Sequence, residues 1–244
     1  MNGILFNKFF KITLVLLLFC SCRIVASEID CEILDAKKKS DNSIKIIATS
    51  ALIPYRFEER KEEYIKSLKT LDSFGYKSRT YIVESGCDSP LSFYEDYCDH
   101  VFYANTNNLR LVNKGVNEAK AILKALDHYQ FDDEDMIVKI TGRYCFDNDQ
   151  FLKTVQAHPE IDAFARRMLD PSRGITTGCF AMRGKFFKRM FKELDLIKME
   201  EKLIDIEWEA EQFLIKMASE NAKVVYLDTV NMTANVNHAE IIHW

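Results

Sequence analysis

The residues best suited to chemistry stand at the ends of hydrophobic runs. Ile44-Lys45-Ile46-Ile47-Ala48 leads into Thr49-Ser50, and Arg79-Thr80-Tyr81-Ile82-Val83 leads into Glu84-Ser85-Gly86. Met136-Ile137-Val138-Lys139-Ile140 leads into Thr141-Gly142-Arg143-Tyr144, with Asp147-Asn148-Asp149 just beyond. Hydroxyls, a carboxylate and a guanidinium are groups that hold a polar ligand through hydrogen bonds. Asp147 and Asp149 have the spacing of a two-carboxylate site for a divalent cation, and equally that of a helix N-cap. Asp205, Glu207, Glu209 and Glu211 open a later helical run. Acids in a first turn follow from the helix dipole alone. Glu207 and Glu211, however, are four apart and share a face. A general base is sought there, Glu207 first and Glu211 next.

Several familiar sites are absent. There is no G-x-G-x-x-G. Gly178 to Lys185 has one residue too many between its glycines for a P-loop, and Phe186 stands where Ser or Thr is required. His238 to His243 is not H-E-x-x-H, and 237–244 reads as a frayed tail. No C-x-x-C supports a zinc ribbon or a thioredoxin-type pair. Cys87 or Cys98 beside His100 is close in sequence only, which is not the spatial pairing that cysteine catalysis needs.

These residues must be positioned by elements that the patterning predicts. Strands are expected at 44–50, 79–84, 99–103, 136–140, 161–165, 177–182 and 224–227. Helices are expected at 57–74, closed by Gly75, from Asn113 as N-cap to about Tyr129, from Asn148 or Asp149 to before Pro159, at 186–194 and at 208–218. Strands alternating with helices predict an α/β fold, an open and mostly parallel sheet with helices on both faces. Ligands of such sheets bind beyond the carboxyl ends of the strands. That is where Thr49, Ser50, Glu84 and Arg143 stand. Asp132-Asp133-Glu134-Asp135 falls at the opposite end and reads as a solvated connection.

The N-terminus has its own grammar. Lys8 and Lys11 precede the apolar run Ile12–Phe19, and the small-residue exit Val25-Ala26-Ser27 follows. Residues 1–26 therefore read as an export signal. The run is about half of the ~20 residues a spanning helix needs, so a short membrane anchor is the second reading, and a lipid-anchored Cys22 the third. Residues 27–43 are a polar leader, and 44–236 a single domain. Cleavage removes three cations and no acid, taking the formal charge from -4 to -7. The acidic balance and the lack of aromatic-basic interleaving disfavour nucleic acid as a partner. Cys31, Cys87, Cys98, Cys145 and Cys179 remain after cleavage, with Cys87 and Cys98 best placed for a local bridge.

Two runs carry a resemblance. Asn113-Lys114-Gly115-Val116-Asn117-Glu118-Ala119 and Ile137-Val138-Lys139-Ile140-Thr141-Gly142-Arg143-Tyr144 resemble a group of bacterial and viral glycosyltransferase-like proteins of GT-A fold, over most of residues 44–230. The resemblance implies a glycosyltransferase, of hexosyltransferase type, that moves a sugar from a nucleotide-sugar donor to a glycan, lipid or protein acceptor. It implies that Thr49, Ser50 and Glu84 face the nucleoside, that Lys114, Lys139 and Arg143 face the diphosphate, that Gly178 lies near the donor sugar, and that Glu207 serves the acceptor. GT-A enzymes usually carry Asp-x-Asp at the end of the fourth strand, where Mn or Mg bridges to the diphosphate. Here Thr141-Gly142-Arg143 stands there instead. A guanidinium neutralises phosphate oxygens without a metal, whereas the other reading pairs Arg143 with Asp147. The missing Asp-x-Asp also admits a catalytically inactive, secreted binding protein that retains the fold.

Overall fold

The computed structural model describes residues 44–87, 90–108, 110–168, 174–235 and 241–243. The strands are β1 (Ile44–Ser50), β2 (Thr80–Glu84), β3 (His100–Tyr103), β4 (Met136–Thr141), β5 (Cys145–Phe146), β6 (Ala163–Ala165), β7 (Cys179–Arg183), β8 (Val224–Tyr226), β9 (Met232–Asn235) and β10 (Ile241–His243). The helices are α1 (Phe57–Ser73), α2 (Ser92–Glu95), α3 (Lys114–Tyr129), α4 (Gln150–Ala157), α5 (Gly184–Glu193), α6 (Leu196–Lys202) and α7 (Ile206–Ser219).

Seven strands form one sheet in the order β3-β2-β1-β4-β7-β6-β8. The pairs β3–β2, β2–β1, β1–β4 and β6–β8 are parallel, while β7 runs antiparallel to both neighbours. This is the open, mostly parallel α/β sheet that the patterning predicts. The period of two divides the strand residues between two apolar layers. Ile46, Ala48, Val138 and Ile140 pack with Tyr64, Leu68 and Leu71 of α1 and with Phe151 and Leu152 of α4. Ile47, Ile137, Phe180 and Met182 pack on the other face with Val116, Ala119 and Ile122 of α3, Phe187 and Phe191 of α5, and Leu214 of α7. Lys139 falls on this second face by alternation, a buried cation on a strand whose neighbours are aliphatic.

A three-stranded sheet, β10-β9-β5, lies apart from the main one in hydrogen bonding. Its strands are short and have no alternating apolar signature, so the sequence gives no warning of them. The tail expected to fray contributes β10, which pairs with β9 through Ile241↔Asn235 and Ile242↔Ala234. Helix α6 was also unforeseen, because Lys-Met-Glu-Glu-Lys is charged on most sides. The Cys87–Cys98 bridge does not form. The Cys98 thiol is buried, its one proton shared between the carbonyls of Thr80 and His100. Residues 1–43, with the export segment, the leader and Cys31, lie outside the described residues, as do 236–240 and 244. No helix among the described residues is long and apolar enough to cross a membrane.

Candidate functional site

Parallel pairing of β1, β2 and β4 brings their carboxyl ends to one edge, and there a cavity of about 680 Å³ opens. Thr49, Ser50 and Ala51 leave β1 into its wall, and Thr141, Arg143 and Tyr144 leave β4. Gly142 lies between them. Its N–H donates to the Thr49 carbonyl at 2.8 Å, and a Cβ there would come within 2.9 Å of that oxygen and 3.2 Å of the Tyr64 ring. A side chain at 142 would push the two strand ends apart.

The second wall is the start of α3. Asn113 caps it as expected, accepting from the Gly115 N–H at 3.0 Å. The Asn113 amide also donates to the carbonyls of Met199 and Ile204, tying α3 to the segment before α7. A Cβ on Gly115 would meet Ile206 at 3.0 Å. Glycine therefore lets the first turn of α3 abut the first turn of α7. Through that contact Lys114 and Glu207 line the same cavity although they are distant in sequence.

Five of the sequence-predicted residues thus meet at one cavity: Thr49, Ser50, Lys114, Arg143 and Glu207. Lys114 is exposed there, and no carboxylate pairs with it among the described residues. Arg143 has a carboxylate partner on α1. It lies 3.7 Å from Glu63 Oε2, and its guanidinium lies over the Tyr144 ring. Glu207 Oε1 accepts from the Thr177 hydroxyl at 2.7 Å.

The others are placed elsewhere. Glu84 is fully buried below the cavity. It accepts from the Ser50 hydroxyl at 2.7 Å, the Tyr94 hydroxyl at 2.8 Å, the Leu52 N–H at 3.0 Å and the Gly86 N–H. It holds the β1 loop and presents nothing to a nucleoside. Burial, and next the charge of Glu84, push the Tyr94 phenol far above its usual range, so it stays a donor. Lys139 is only 1% exposed and has three acceptors for its three protons: Glu118 at 2.7 Å, the Thr177 carbonyl at 2.6 Å and the Thr141 hydroxyl at 3.3 Å. A diphosphate would find no proton left on it. Gly178 is buried beside β4, its carbonyl accepting from the Thr141 N–H, and it does not line the cavity. Glu211 is buried one turn beyond Glu207 and pairs with Arg167 at 3.4 Å.

Asp147 accepts from the Thr233 hydroxyl, and Asp149 stands at the start of α4 paired with Lys153 at 2.9 Å. Neither lines the cavity. No group of three or more His, Cys, Asp or Glu side chains converges on a metal position among the described residues. Of the three carboxylates that line the cavity, Glu118, Asp205 and Glu207, one oxygen of Glu118 is held by Lys139 and Thr49 and one of Glu207 by Thr177, and the three do not converge on one point. The residues present do not fit Mn or Mg.

Sequence reasoning assigned no role to Arg60, Tyr64, Asn117, Glu118 and Asp205, all of which line the cavity. Two signals were available. Arg60 and Tyr64 are four apart on one helix, as are Lys114 and Glu118. Tyr64 is buried, which pushes its phenol up to about 12, and its oxygen accepts from the Ala51 N–H at 2.8 Å. Arg60 donates to the Ala51 carbonyl, while its Nε is buried without a hydrogen-bond partner. Three apolar side chains, Tyr55, Val112 and Leu203, are well exposed at the same cavity.

No family model and no curated protein matches the sequence. Among solved structures, the chain is similar to a protein described as a nucleotide-diphospho-sugar transferase from Desulfovibrio desulfuricans G20, at 14% identity and a TM-score of 0.48, covering 75% of this chain and 79% of that one. It is similar to a glycosyltransferase involved in glycosylation of the major capsid of PBCV-1, at 11% identity and a TM-score of 0.44, with 76% and 83% covered. It is also similar to the galactosyltransferase LgtC, solved with donor and acceptor sugar analogs, at 11% identity and a TM-score of 0.43, with 75% and 72% covered.

Proposed function

We propose that the chain is a glycosyltransferase that takes a sugar from a nucleotide-sugar donor and gives it to a glycan, lipid or protein acceptor. The observation that carries this reading is the meeting, in one cavity at the carboxyl ends of parallel strands, of hydroxyls (Thr49, Ser50), cations (Lys114, Arg143) and a carboxylate (Glu207). The hydroxyl side suits a nucleoside. The cations suit a diphosphate, and the guanidinium can engage two of its oxygens at once. In the transfer, the bond between the anomeric carbon and the diphosphate oxygen breaks. The acceptor oxygen bonds to that carbon, and its proton passes to Glu207. The diphosphate leaves with the bonding electrons, and Arg143 and Lys114 meet its charge. No step needs a divalent cation. Activity abolished by a chelator and restored by manganese would refute that part of the reading.

The test is thermal shift against a panel of nucleotide-sugars. A ligand at a hundred times its Kd stabilises by about 2.7 kcal/mol, a readily measured shift. One nucleotide-sugar should stabilise selectively, and Arg143→Ala should abolish that shift when each protein is compared with its own unliganded melting temperature, which the lost Glu63 pairing lowers in the variant. A flat panel would sink the reading. Binding without turnover would instead favour an inactive carrier of the same fold, which Thr141-Gly142-Arg143 in place of Asp-x-Asp also suits. The reading sets the reaction in the secretory route or at a membrane surface, because residues 1–26 carry the export grammar. A mature chain that still begins at Met1 and partitions to the soluble fraction would overturn that placement.

A further inference from the structure

Glu118 lies one helical turn after Lys114, and its side chain is 22% exposed on the cavity wall. Its Oε1 takes two bonds, from the Thr49 hydroxyl at 2.6 Å and from the Lys139 ammonium at 2.7 Å. Its Oε2 has no partner among the described residues. Lys139 is saturated by Glu118, Thr141 and Thr177 and is closed to solvent. A buried pair of this kind is not required for stability, since apolar residues of equal volume often serve as well or better. What the pair does achieve is geometric. It fixes one carboxylate oxygen and leaves the other without a partner among the described residues, on a side chain that lines the cavity.

A bare carboxylate oxygen accepts hydroxyl protons and repels phosphate oxygens. Glu118 therefore faces an uncharged, hydroxyl-bearing part of a ligand. Its partner Thr49 marks the end of β1, and Lys114 offers a cation one turn away. In a nucleotide, the hydroxyl-bearing part between base and diphosphate is the ribose. We propose that Glu118 accepts a ribose hydroxyl and makes the site selective for ribonucleotides, with Lys139 as the positioning residue behind it. This rests on the nucleotide-sugar reading above.

The experiment is calorimetric binding of UDP, GDP, ADP and CDP, each with its 2′-deoxy and 3′-deoxy counterparts, to the full chain. A hydrogen bond to a charged acceptor predicts a preference of about tenfold or more for the ribo form over one deoxy form. The paired variant Glu118→Gln/Lys139→Met removes both charges at similar volume. It should bring that preference to within about twofold while the deoxy affinity holds. A pair that only braces the fold would lower both affinities alike and leave their ratio standing, which overturns the proposal. Equal binding of ribo and both deoxy forms by the unaltered chain overturns it too, and needs no variant to fold. That outcome leaves the nucleotide-sugar reading intact, and would turn attention to hydroxyls of the donor sugar. Failure of every nucleotide to bind refutes both.

Discussion

Replacing Glu84 by glutamine probes how the cavity edge is held. The carboxylate is fully buried and accepts four hydrogen bonds. Oε1 takes the N–H groups of Leu52 and Gly86, and Oε2 takes the hydroxyls of Ser50 and Tyr94. Glutamine retains the volume and one acceptor oxygen. That oxygen must stay on the Leu52 and Gly86 side, because N–H groups cannot reverse. The new amide then faces Ser50 and Tyr94, whose hydroxyls can turn to accept. All four bonds change from charge-assisted to neutral, at roughly 1 kcal/mol each, and relief from burying a charge returns part of this. The expected loss is about 2–4 kcal/mol. In a domain of this size that is about 4–16 °C in melting temperature. Glu84→Leu leaves the buried Leu52 N–H and the half-buried Gly86 N–H without their acceptor, and should lose more, about 4–6 kcal/mol. Urea denaturation of the three proteins checks the order. A Glu84→Gln protein within about 0.5 kcal/mol of the parent, or less stable than Glu84→Leu, would refute the assignment of Glu84 as the anchor of the β1 loop.

Three further outcomes follow from other parts of the chain. Leu203 ends α6 with φ 52°, a left-handed conformation that glycine adopts without a Cβ clash, so Leu203→Gly should gain about 0.5–1 kcal/mol by chemical denaturation; a loss would contradict the strain. Lys139→Ala leaves Glu118 and the Thr177 carbonyl without their shared partner and should cost about 2–4 kcal/mol, whereas Lys139→Met with Glu118→Gln should cost clearly less; equal losses would show that the charges are not coupled. Burial pushes the Cys98 thiol from 9.0 up to about 11, so the folded state holds its proton longer than the unfolded chain does. Its contribution is full below about pH 9 and lost as pH rises toward about 11, and urea midpoints of the parent should fall more steeply over that window than those of Cys98→Ala; parallel slopes would refute it.

The sequence by itself determined the alternation of strands and helices, and with it the open α/β sheet. Apolar periodicity is a local property: Ile46 and Ala48 face one layer and Ile47 the other whatever the rest of the chain does. It also determined the Asn113 cap, whose side chain bonds two residues along, and the stretch of strand ends at which the cavity opens. It could not say which polar residues face the cavity, because that depends on distant partners. Glu84 and Lys139 look like ligand groups in sequence, and each is consumed by contacts from β1, α2, α3 or the Thr177 turn. Glu118 looks like an ordinary helix surface acid until Lys139 is brought beneath it. The short strands of the second sheet carry too few residues to show a period. Only tertiary structure decided these matters, since a polar group inside a folded chain must be satisfied, and the donors and acceptors that satisfy it come from elements that sequence order does not place side by side.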